Sequence, residues 1–466
     1  MTEILEQIDQ EIEAAREQVA ADTIRFINIK SVQGEPLPGA PFGEGPRKML
    51  DEFMKTAESD GFFVTDTGVG VVCASVNEGQ PDLGIWLHGD VVPEGDGWSF
   101  APYDAVEYKG CIVGRGAGDN KGQLAAVYNV LKIFKKLDIP LGYNPAVYLG
   151  SNEETGMADM TGVPGNPDAK GFVNVCTPPR ISLVPDSGFP VGYGGKGAID
   201  IRLKCKNTLK AVDFIAGQTD NPGLAVARKL GNIDFSKLPE GCNVSEDGSS
   251  VSVYTLPRHG AHPDPNGNMI TVLSAALMGL PDVSAEDKAI LSVLHAISLD
   301  VYGEKMGIAH ESAVMGKLTA YPKCVDMIDG APQISLNIRY PDGINFQEIV
   351  ARLSAFAEKN DFEVSFTKQG VDAYLMDKDS KIVRFLCDTA NSVTGWHDEP
   401  FTLSGATYAH RLPNAYVFGA SAICPPEDFP QGHGSAHGVD EVVSVDRLLR
   451  MMKIYARALL GIKRFL

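Results

Sequence analysis

Short apolar stretches in the first half of the chain run into histidine or acidic side chains. In LGIWLHGD, the apolar run ends at an imidazole, and a carboxylate follows two residues later. The stretches CIVGRGAGD, AVYLGSNEE and ISLVPD end on further carboxylates. The residues concerned are His88, Asp90, Asp119, Glu153, Glu154 and Asp186. Imidazole nitrogens and carboxylate oxygens bind divalent metal ions, and a carboxylate near a bound histidine often orients its ring. These residue types are therefore compatible with a metal centre in which Asp90 orients His88.

Each cluster also has an ordinary structural explanation. The glycines, proline and aspartates after His88 are typical of a turn, and Asp186 lies in a turn-like PDSG. Asp119 could cap a helix, and the two adjacent glutamates could occupy a first helical turn. Taken singly, each cluster is more often structural than functional. A chain in which every one of these clusters is purely structural, although each follows a predicted strand, would be much less common.

The carboxyl ends of parallel strands meet at one edge of an open sheet, where α/β proteins place their sites. The number of residues between successive clusters is similar to the length of one strand plus its crossover connection. We therefore expect the side chains of the clusters to converge. A further ligand is predicted in the glycine-rich stretch GHGSAHGVDE near the C-terminus. His437 is the better candidate there, and His433 is interpreted as a loop residue.

Alternating strand and helix patterns predict an α/β domain with a mixed, mainly parallel sheet flanked by helices. One long helix is predicted over 3–30 and another over 46–60. Strands are predicted near 62–66, 70–76 and 83–88, and LAAVYNVLKIFKKL has helical spacing.

From about residue 196 the pattern changes to half-exposed strands such as AIDIRLKC, SSVSVYTL and QISLNIRY. Helices are predicted at 222–230, 269–278, 285–298 and 346–358. This part is interpreted as an α+β domain over 196–380 that is inserted into the first domain. The first domain would then comprise 1–195 and 381–466.

Composition excludes several classes of protein. The chain has 466 residues, with 41 Lys and Arg against 60 Asp and Glu, giving a formal charge of −19. Such an acidic chain is a poor partner for nucleic acid or anionic membrane. The acidic, helix-patterned N-terminus is unlike a signal peptide, so a cytoplasmic protein is expected. The eight scattered cysteines form no C-x-x-C and are expected to be reduced.

The motifs together resemble a known family. In chain order they are LHGDVVPEGDGW, GRGAGDNKG, NEETG, VPDSGFPV, LNIRYPDG, SGATYAHRL and HGVDE. This series is similar to the dinuclear zinc peptidases that include aminoacylases, carnosinases and dipeptidases, and most of all to the dipeptidase V (PepV) type. The resemblance covers nearly the whole chain. It implies that 1–195 with 381–466 is an α/β catalytic domain, that 196–380 is an enlarged, inserted α+β lid domain, and that the protein is a monomer.

The resemblance also implies roles for individual residues. His88, Asp119 and Asp186 would hold one metal ion and Asp119, Glu154 and His437 the other, with Asp119 bridging. Glu153 would be the general base, and Asp90 would orient His88. From the lid, His262 would stabilise the oxyanion and Arg339 would bind the substrate carboxylate, assisted by Asn221 and Gly405. Such mixed nitrogen and oxygen sites suit Zn²⁺, and also Mn²⁺ or Co²⁺.

The chain departs from the family pattern at several positions. Asn120 follows the bridging aspartate where many relatives have Asp, at a peptide bond that the family holds cis. Ala406 and His410 replace Gly and Arg of the dipeptidase V type, and the segment around Asn221 lacks the family's N-x-V-P order. Residues 157–180 also look longer than in the dipeptidase V type. This stretch and the segment around Asn221 lie near the expected substrate pocket, and both leave the metal ligands intact.

The sequence thus predicts a metal-dependent dipeptidase that hydrolyses unblocked dipeptides with a water activated by two metal ions. A deacylase acting on N-acyl amino acids would share every metal ligand and remains an alternative. A degenerate protein that only binds amino-acid derivatives is a second alternative, although such a protein would not need Glu153.

Overall fold

A computed structural model describes residues 2–163, 166–218, 221–255, 268–366, 370–420 and 422–466. The chain forms two compact units. The first comprises 1–194, 376–401 and 407–466, and the second comprises 195–375 and 402–406. The predicted domain boundaries fell after residues 195 and 380, and the return of 402–406 to the second unit was not anticipated. The role of the second unit as a lid stays a prediction.

The first unit is built on a mixed sheet. Neighbouring strands of its sheet run in the order Phe63–Asp66, Val71–Ser75, Pro145–Gly150, Leu83–His88, Ile181–Val184, Ala415–Val417 and Gly192–Gly195. The four strands from Pro145–Gly150 to Ala415–Val417 are parallel, and the strands at both ends pair antiparallel. A smaller sheet comprises Val106–Tyr108, Cys111–Val113 and Val442–Ser444. Short strands at Tyr374–Leu375 and Phe401–Leu403 lie where the chain passes between units.

Helices supply most of the remaining core of this unit. The main ones are Thr2–Ala14, Arg16–Ile27, Glu44–Ser59, Gly122–Lys136, Lys381–Thr394 and Val445–Gly461. Shorter helical segments are Ala117–Lys121, Ala158–Thr161, Phe172–Val175, Tyr408–Arg411 and Ile462–Phe465. The parallel strands are buried along their whole length, as expected for strands covered by helices on both faces. The predicted single helix over 3–30 is divided at Ala15, and nothing in the local sequence explains this break.

In the described residues of the second unit, eight strands form an antiparallel sheet that is covered by helices. Its strands run in the order Asn243–Val244, Ser250–Tyr254, Asn221–Lys229, Val212–Gln218, Thr319–Ile328, Ala331–Tyr340, Gly197–Cys205 and Phe362–Ser365. The helices are Met269–Met278, Ala285–Leu299 and Phe346–Lys359, with a short turn at Phe235–Lys237 and a small hairpin at Glu311–Ser312 and Gly316–Lys317. A separate core of apolar side chains belongs to this unit.

The helix predicted at 222–230 is wrong, because this segment is the strand Asn221–Lys229. It pairs with strands on both sides, Val212–Gln218 and Ser250–Tyr254. Ala225 and Ala227 are fully buried on one face while the intervening residues are more exposed. Small alanines gave a weak period-two signal, and pairing with two neighbours overrides their preference for helix.

All eight cysteines lie in the described part of the chain and are free thiols. Within the same residues, no helix has both the length and the apolar character needed to cross a membrane.

Candidate metal centre

The parallel strands bring the predicted ligands to one edge of the first unit's sheet. His88 ends its strand directly opposite Gly150, the last residue of the neighbouring strand. The chain reaches Glu153 and Glu154 a few residues beyond Gly150. On the other side of the His88 strand, Asp186 follows shortly after the strand Ile181–Val184. Three strand ends therefore deliver an imidazole and several carboxylates to the same place.

Asp119 lies in the tight segment Ala117–Lys121, which leads into the helix Gly122–Lys136. The Asp119–Asn120 peptide bond is cis, as the resemblance implied. Asn120 donates its amide to the carbonyl of Pro185 at 2.9 Å and to Oδ1 of Asp186 at 3.2 Å. An aspartate could not make these two donations, so the asparagine links the Asp119 segment to the Asp186 turn.

His88 is fully enclosed and has both ring nitrogens engaged. Its Nδ1 lies 2.9 Å from the backbone carbonyl of Asp90, and its Nε2 lies 2.9 Å from Oδ1 of Asp119. Oδ1 of Asp186 lies 3.9 Å from the same Nε2. A carbonyl oxygen only accepts, so Nδ1 must carry the proton. In a neutral ring, Nε2 then presents a lone pair to a carboxylate oxygen.

His437 approaches Asp119 from the C-terminal loop. Its Nε2 lies 3.1 Å from Oδ2 of Asp119 and 3.1 and 3.0 Å from the two carboxylate oxygens of Glu154. Asp119 therefore presents one oxygen to each imidazole. The side chains form two groups that could each hold a metal ion, His88 with Asp119 and Asp186, and Asp119 with Glu154 and His437. Within each group the ligand atoms lie within 4.8 Å of one another.

These donors fit divalent cations. The Nε2 of His88 faces a carboxylate oxygen of Asp119, and the single Nε2 of His437 faces three carboxylate oxygens, an arrangement that one N–H cannot satisfy. A cation in each group would be bound by one nitrogen and by carboxylate oxygens, which is a ligand set that zinc accepts. The shared aspartate is suited to bridge two such ions.

The electrostatics of the cluster also favour added positive charge. Burial, and then the negative charge of Asp119, raises the pKa of Asp186 to about 8. Hydrogen bonds to Asp119 and Glu154 raise the pKa of His437 to about 11. Buried carboxylates that repel one another stay ionised together only when cations balance them.

Glu153 lies beside the ligand groups and belongs to neither. Its Oε1 is buried and has no hydrogen-bond partner among the described residues. Burial, and then the charge of Asp186, raises the pKa of Glu153 well above its ordinary value. An unpaired buried carboxyl oxygen with a raised pKa is typical of a group that exchanges protons.

The carboxylate of Asp90 makes different hydrogen bonds from those that we predicted. We expected it to accept a hydrogen bond from the ring of His88, but it lies 3.7 Å from Nδ1, and the backbone carbonyl of Asp90 takes that place. Its two oxygens instead accept the backbone N–H groups of Glu153 and Glu154, both at 3.1 Å. Asp90 therefore orients His88 through its main chain and supports the two glutamates through its side chain.

A buried ion pair that we did not predict joins the loops carrying Asp119 and His437. Arg115 donates to Glu441 at 2.7 Å, and both side chains are almost completely enclosed. Glu441 also accepts the N–H groups of Gly116 and Gly118 at 3.1 and 2.8 Å. The only signal in the sequence was the presence of Arg in GRGAGD and Glu in HGVDE. Their pairing across 326 positions requires the fold.

The remaining predicted site residues belong to the second unit or lie outside the described residues. Arg339 is on the strand Ala331–Tyr340, on the face away from the core, and its Nε donates to Asn337 at 3.0 Å. Gly405 is exposed, and a Cβ there would meet nothing within 4 Å. The backbone of Asn221 begins a strand, but its side chain is outside the described part. His262 lies entirely outside the described residues.

Comparison with known proteins agrees with the fold and the motifs. A model described as peptidase family M20/M25/M40 matches residues 85–461. A Staphylococcus aureus protein (strain bovine RF122 / ET3-1) that bears the name "Putative dipeptidase" is 27% identical over 477 residues, covering 97% of this chain and 98% of the relative.

Two solved structures have a similar fold. Human carnosine dipeptidase 1 matches with a TM-score of 0.58 and 15% identity, covering 98% of both chains. The di-peptidase Dug1p from Saccharomyces cerevisiae matches with a TM-score of 0.60 and 13% identity, covering 99% of this chain and 98% of its own. At this level of identity, the two structures support the fold alone.

Proposed function

Because the chain belongs to peptidase family M20/M25/M40, we propose that it is a metal-dependent dipeptidase that hydrolyses unblocked dipeptides. The observation that carries the proposal is the shared aspartate. Asp119 presents one oxygen to His88 and the other to His437, and the buried Oε1 of Glu153, which has no hydrogen-bond partner among the described residues, lies beside the same cluster. The dipeptidase names of relatives that align over almost the whole chain support this choice of substrate.

The chemistry expected of the site follows from its residues. Two divalent cations, Zn²⁺ or else Mn²⁺ or Co²⁺, would lower the pKa of a water molecule and polarise the scissile carbonyl. Glu153 would accept the proton of the attacking water and then donate it to the leaving amine. Its raised pKa suits this exchange, because a stronger base takes the proton more readily. The carboxylate of Asp90 accepts the backbone N–H of Glu153, while Oε1 of the Glu153 side chain has no partner within the described part of the chain.

The second unit would recognise the substrate as a lid. We propose that Arg339 binds the free carboxylate of the dipeptide, because a guanidinium can donate two parallel hydrogen bonds to it. His262 would stabilise the oxyanion, and Asn221 and Gly405 would assist the carboxylate site. An enlarged lid of this kind is also the basis for proposing a monomer.

Replacing Arg339 with alanine is expected to raise KM and lower kcat for free dipeptides. Loss of a charge-assisted pair should reduce kcat/KM by about 10–100-fold. The measurement is steady-state hydrolysis of an Xaa-Leu dipeptide. Arg202→Ala is a matched control, since Arg202 lies on the adjacent strand, opposite Ser335 and away from the core. If kcat/KM is unchanged in Arg339→Ala, the carboxylate is bound elsewhere.

The nearest alternative is a deacylase of N-acyl amino acids, which would use the same metal centre. The two substrates differ at the amino end, so a matched pair distinguishes them. Protein stripped of metal and reloaded with Zn²⁺ or Mn²⁺ would be given free Xaa-Leu dipeptides and N-acetyl-leucine. We expect metal-dependent cleavage of the dipeptides. Cleavage of N-acetyl-leucine alone would assign the chain to deacylation, and activity on neither, with metal bound, would favour a binding protein.

A further inference from the structure

Two buried carboxylates hold the turn that carries the adjacent glutamates. The backbone N–H groups of Ser151–Glu154 are four consecutive donors. Asp90 accepts from the last two, each at 3.1 Å. Asp159 accepts from the first two, at 2.9 and 3.1 Å. Every main-chain donor of the turn is therefore fixed by a side chain instead of by the sheet.

The two carboxylates use their oxygens differently. In Asp90, Oδ1 and Oδ2 accept one N–H each. In Asp159, a single oxygen, Oδ2, accepts both N–H groups and also the hydroxyl of Tyr408, at 2.5 Å. The other oxygen, Oδ1, is buried and has no partner among the described residues. All hydrogen bonds from the turn to the Asp159 side chain are therefore made to the single atom Oδ2.

Tyr408 and Asp159 are packed tightly against the strand end. Both side chains are almost fully buried. A Cβ on Gly150, the last residue of the strand, would lie 1.9 Å from the hydroxyl of Tyr408 and 2.5 Å from Oδ2 of Asp159. Only glycine fits at position 150. The absence of a side chain there leaves the space between the strand and the turn that Tyr408 and Asp159 occupy.

We propose that Asp159 is a positioning residue of the metal centre, which holds the Ser151–Glu154 turn through one acceptor oxygen that Tyr408 fixes in place. Nothing in the motifs pointed to this pair, because Asp159 and Tyr408 are 249 positions apart. The inference rests on the proposed function, since the turn orients Glu153 as base and Glu154 as ligand. Asp159 belongs to neither ligand group and acts on the site through the backbone of the turn.

The acceptor atom, and not the charge, is what this geometry requires. An asparagine can place its carbonyl oxygen where Oδ2 lies and its amide where Oδ1 lies unpartnered, which retains all three hydrogen bonds. The same replacement at Asp90 cannot retain both, because an amide NH₂ would face one of the two N–H groups. Asp159→Asn and Asp90→Asn therefore have opposite expected outcomes.

The test compares Asp159→Asn with Asp159→Ala in the full-length, Co²⁺-loaded protein. Asp159→Asn should keep kcat for an Xaa-Leu dipeptide within about threefold of wild type, since its hydrogen bonds are conserved. Asp159→Ala should lower kcat by about 30-fold or more with KM little changed, because a misplaced base or ligand reduces turnover steeply. The visible absorption bands of bound Co²⁺, which report ligand geometry, should change in Asp159→Ala and not in Asp159→Asn.

Two further variants keep the test decisive. Asp300→Ala is the matched control, since Asp300 is a buried carboxylate of the second unit that accepts the N–H groups of Glu304 and Met306. It should lose stability without a change in kcat or spectrum. If Asp159→Ala does not fold, Tyr408→Phe removes one bond to the same oxygen and should still lower kcat and shift the bands.

The inference would be overturned if Asp159→Ala, or Tyr408→Phe in its place, kept wild-type kcat and absorption bands while only thermal stability fell. It would also be overturned if Asp159→Asn were as impaired as the alanine variant, because charge would then matter. Its failure can be distinguished from failure of the proposed function. If the wild-type protein binds Co²⁺ but cleaves no dipeptide, the proposed dipeptidase function is refuted. The Co²⁺ spectra of the Asp159 variants would still test the positioning role of Asp159.

Discussion

Glu153→Gln is expected to lose nearly all turnover, by about 10³-fold, while keeping its metal ions. Glutamine has nearly the same shape, so the backbone N–H of residue 153 can still donate to Asp90. The amide cannot accept a proton, and a base whose pKa is raised by burial and by Asp186 is removed from the site. The measurement is kcat for an Xaa-Leu dipeptide together with metal content by elemental analysis.

A matched control for this variant is Glu52→Gln. Glu52 is a partly exposed carboxylate of the same unit that pairs with Arg25, and its loss should leave turnover unchanged. A Glu153→Gln protein that retained a near-normal rate with two metal ions bound would remove Glu153 from the role of base. Loss of rate accompanied by loss of metal would instead make it a ligand.

Asp119→Asn is expected to lose both metal and activity. Each carboxylate oxygen of Asp119 faces a different imidazole, and an amide would present N–H₂ to one of them. We expect at least one of the two ions to be lost and turnover to fall by about 10³-fold or more, since metal activation of water is the largest contribution expected here. Elemental analysis after dialysis, with kcat on the same sample, measures both effects.

Asp22→Asn provides the comparison for this variant. Asp22 is a buried carboxylate of the same unit whose two oxygens accept from Arg25 and Asn129. It should cost stability while both metal ions and turnover are retained. If Asp119→Asn kept two ions and near-normal kcat, the shared aspartate would not bridge the metals, and the proposed centre would have to be revised.

The parts of the fold with strong local signals could be predicted from the sequence. Strands such as Leu83–His88 are continuous apolar runs ending in turn residues, and the helix Gly122–Lys136 has clear helical spacing. Parallel pairing then implies that His88 and the residues after Gly150 lie together. The segment Asn221–Lys229 had no such signal, because its alanines favour helix and only its two neighbouring strands make it extended.

Contacts that depend on the path of the main chain could not be predicted. Whether His88 meets the carboxylate or the carbonyl of Asp90 is decided by the turn that follows the strand. The Asp159–Tyr408 pair and the Arg115–Glu441 pair join residues hundreds of positions apart. Sequence patterns identify groups that have their own chemistry, such as metal ligands, more readily than the buried acceptors that hold them in place.

The most direct test of the account is a titration of metal into protein that has been stripped by a chelator. Hydrolysis of an Xaa-Leu dipeptide would be followed as Zn²⁺ is added, with bound metal measured in parallel. We predict no turnover without metal and a rate that rises until two ions are bound per chain, with no further rise beyond. Full activity in the stripped protein, or a maximum rate with both ligand groups still empty, would contradict the proposed metal centre.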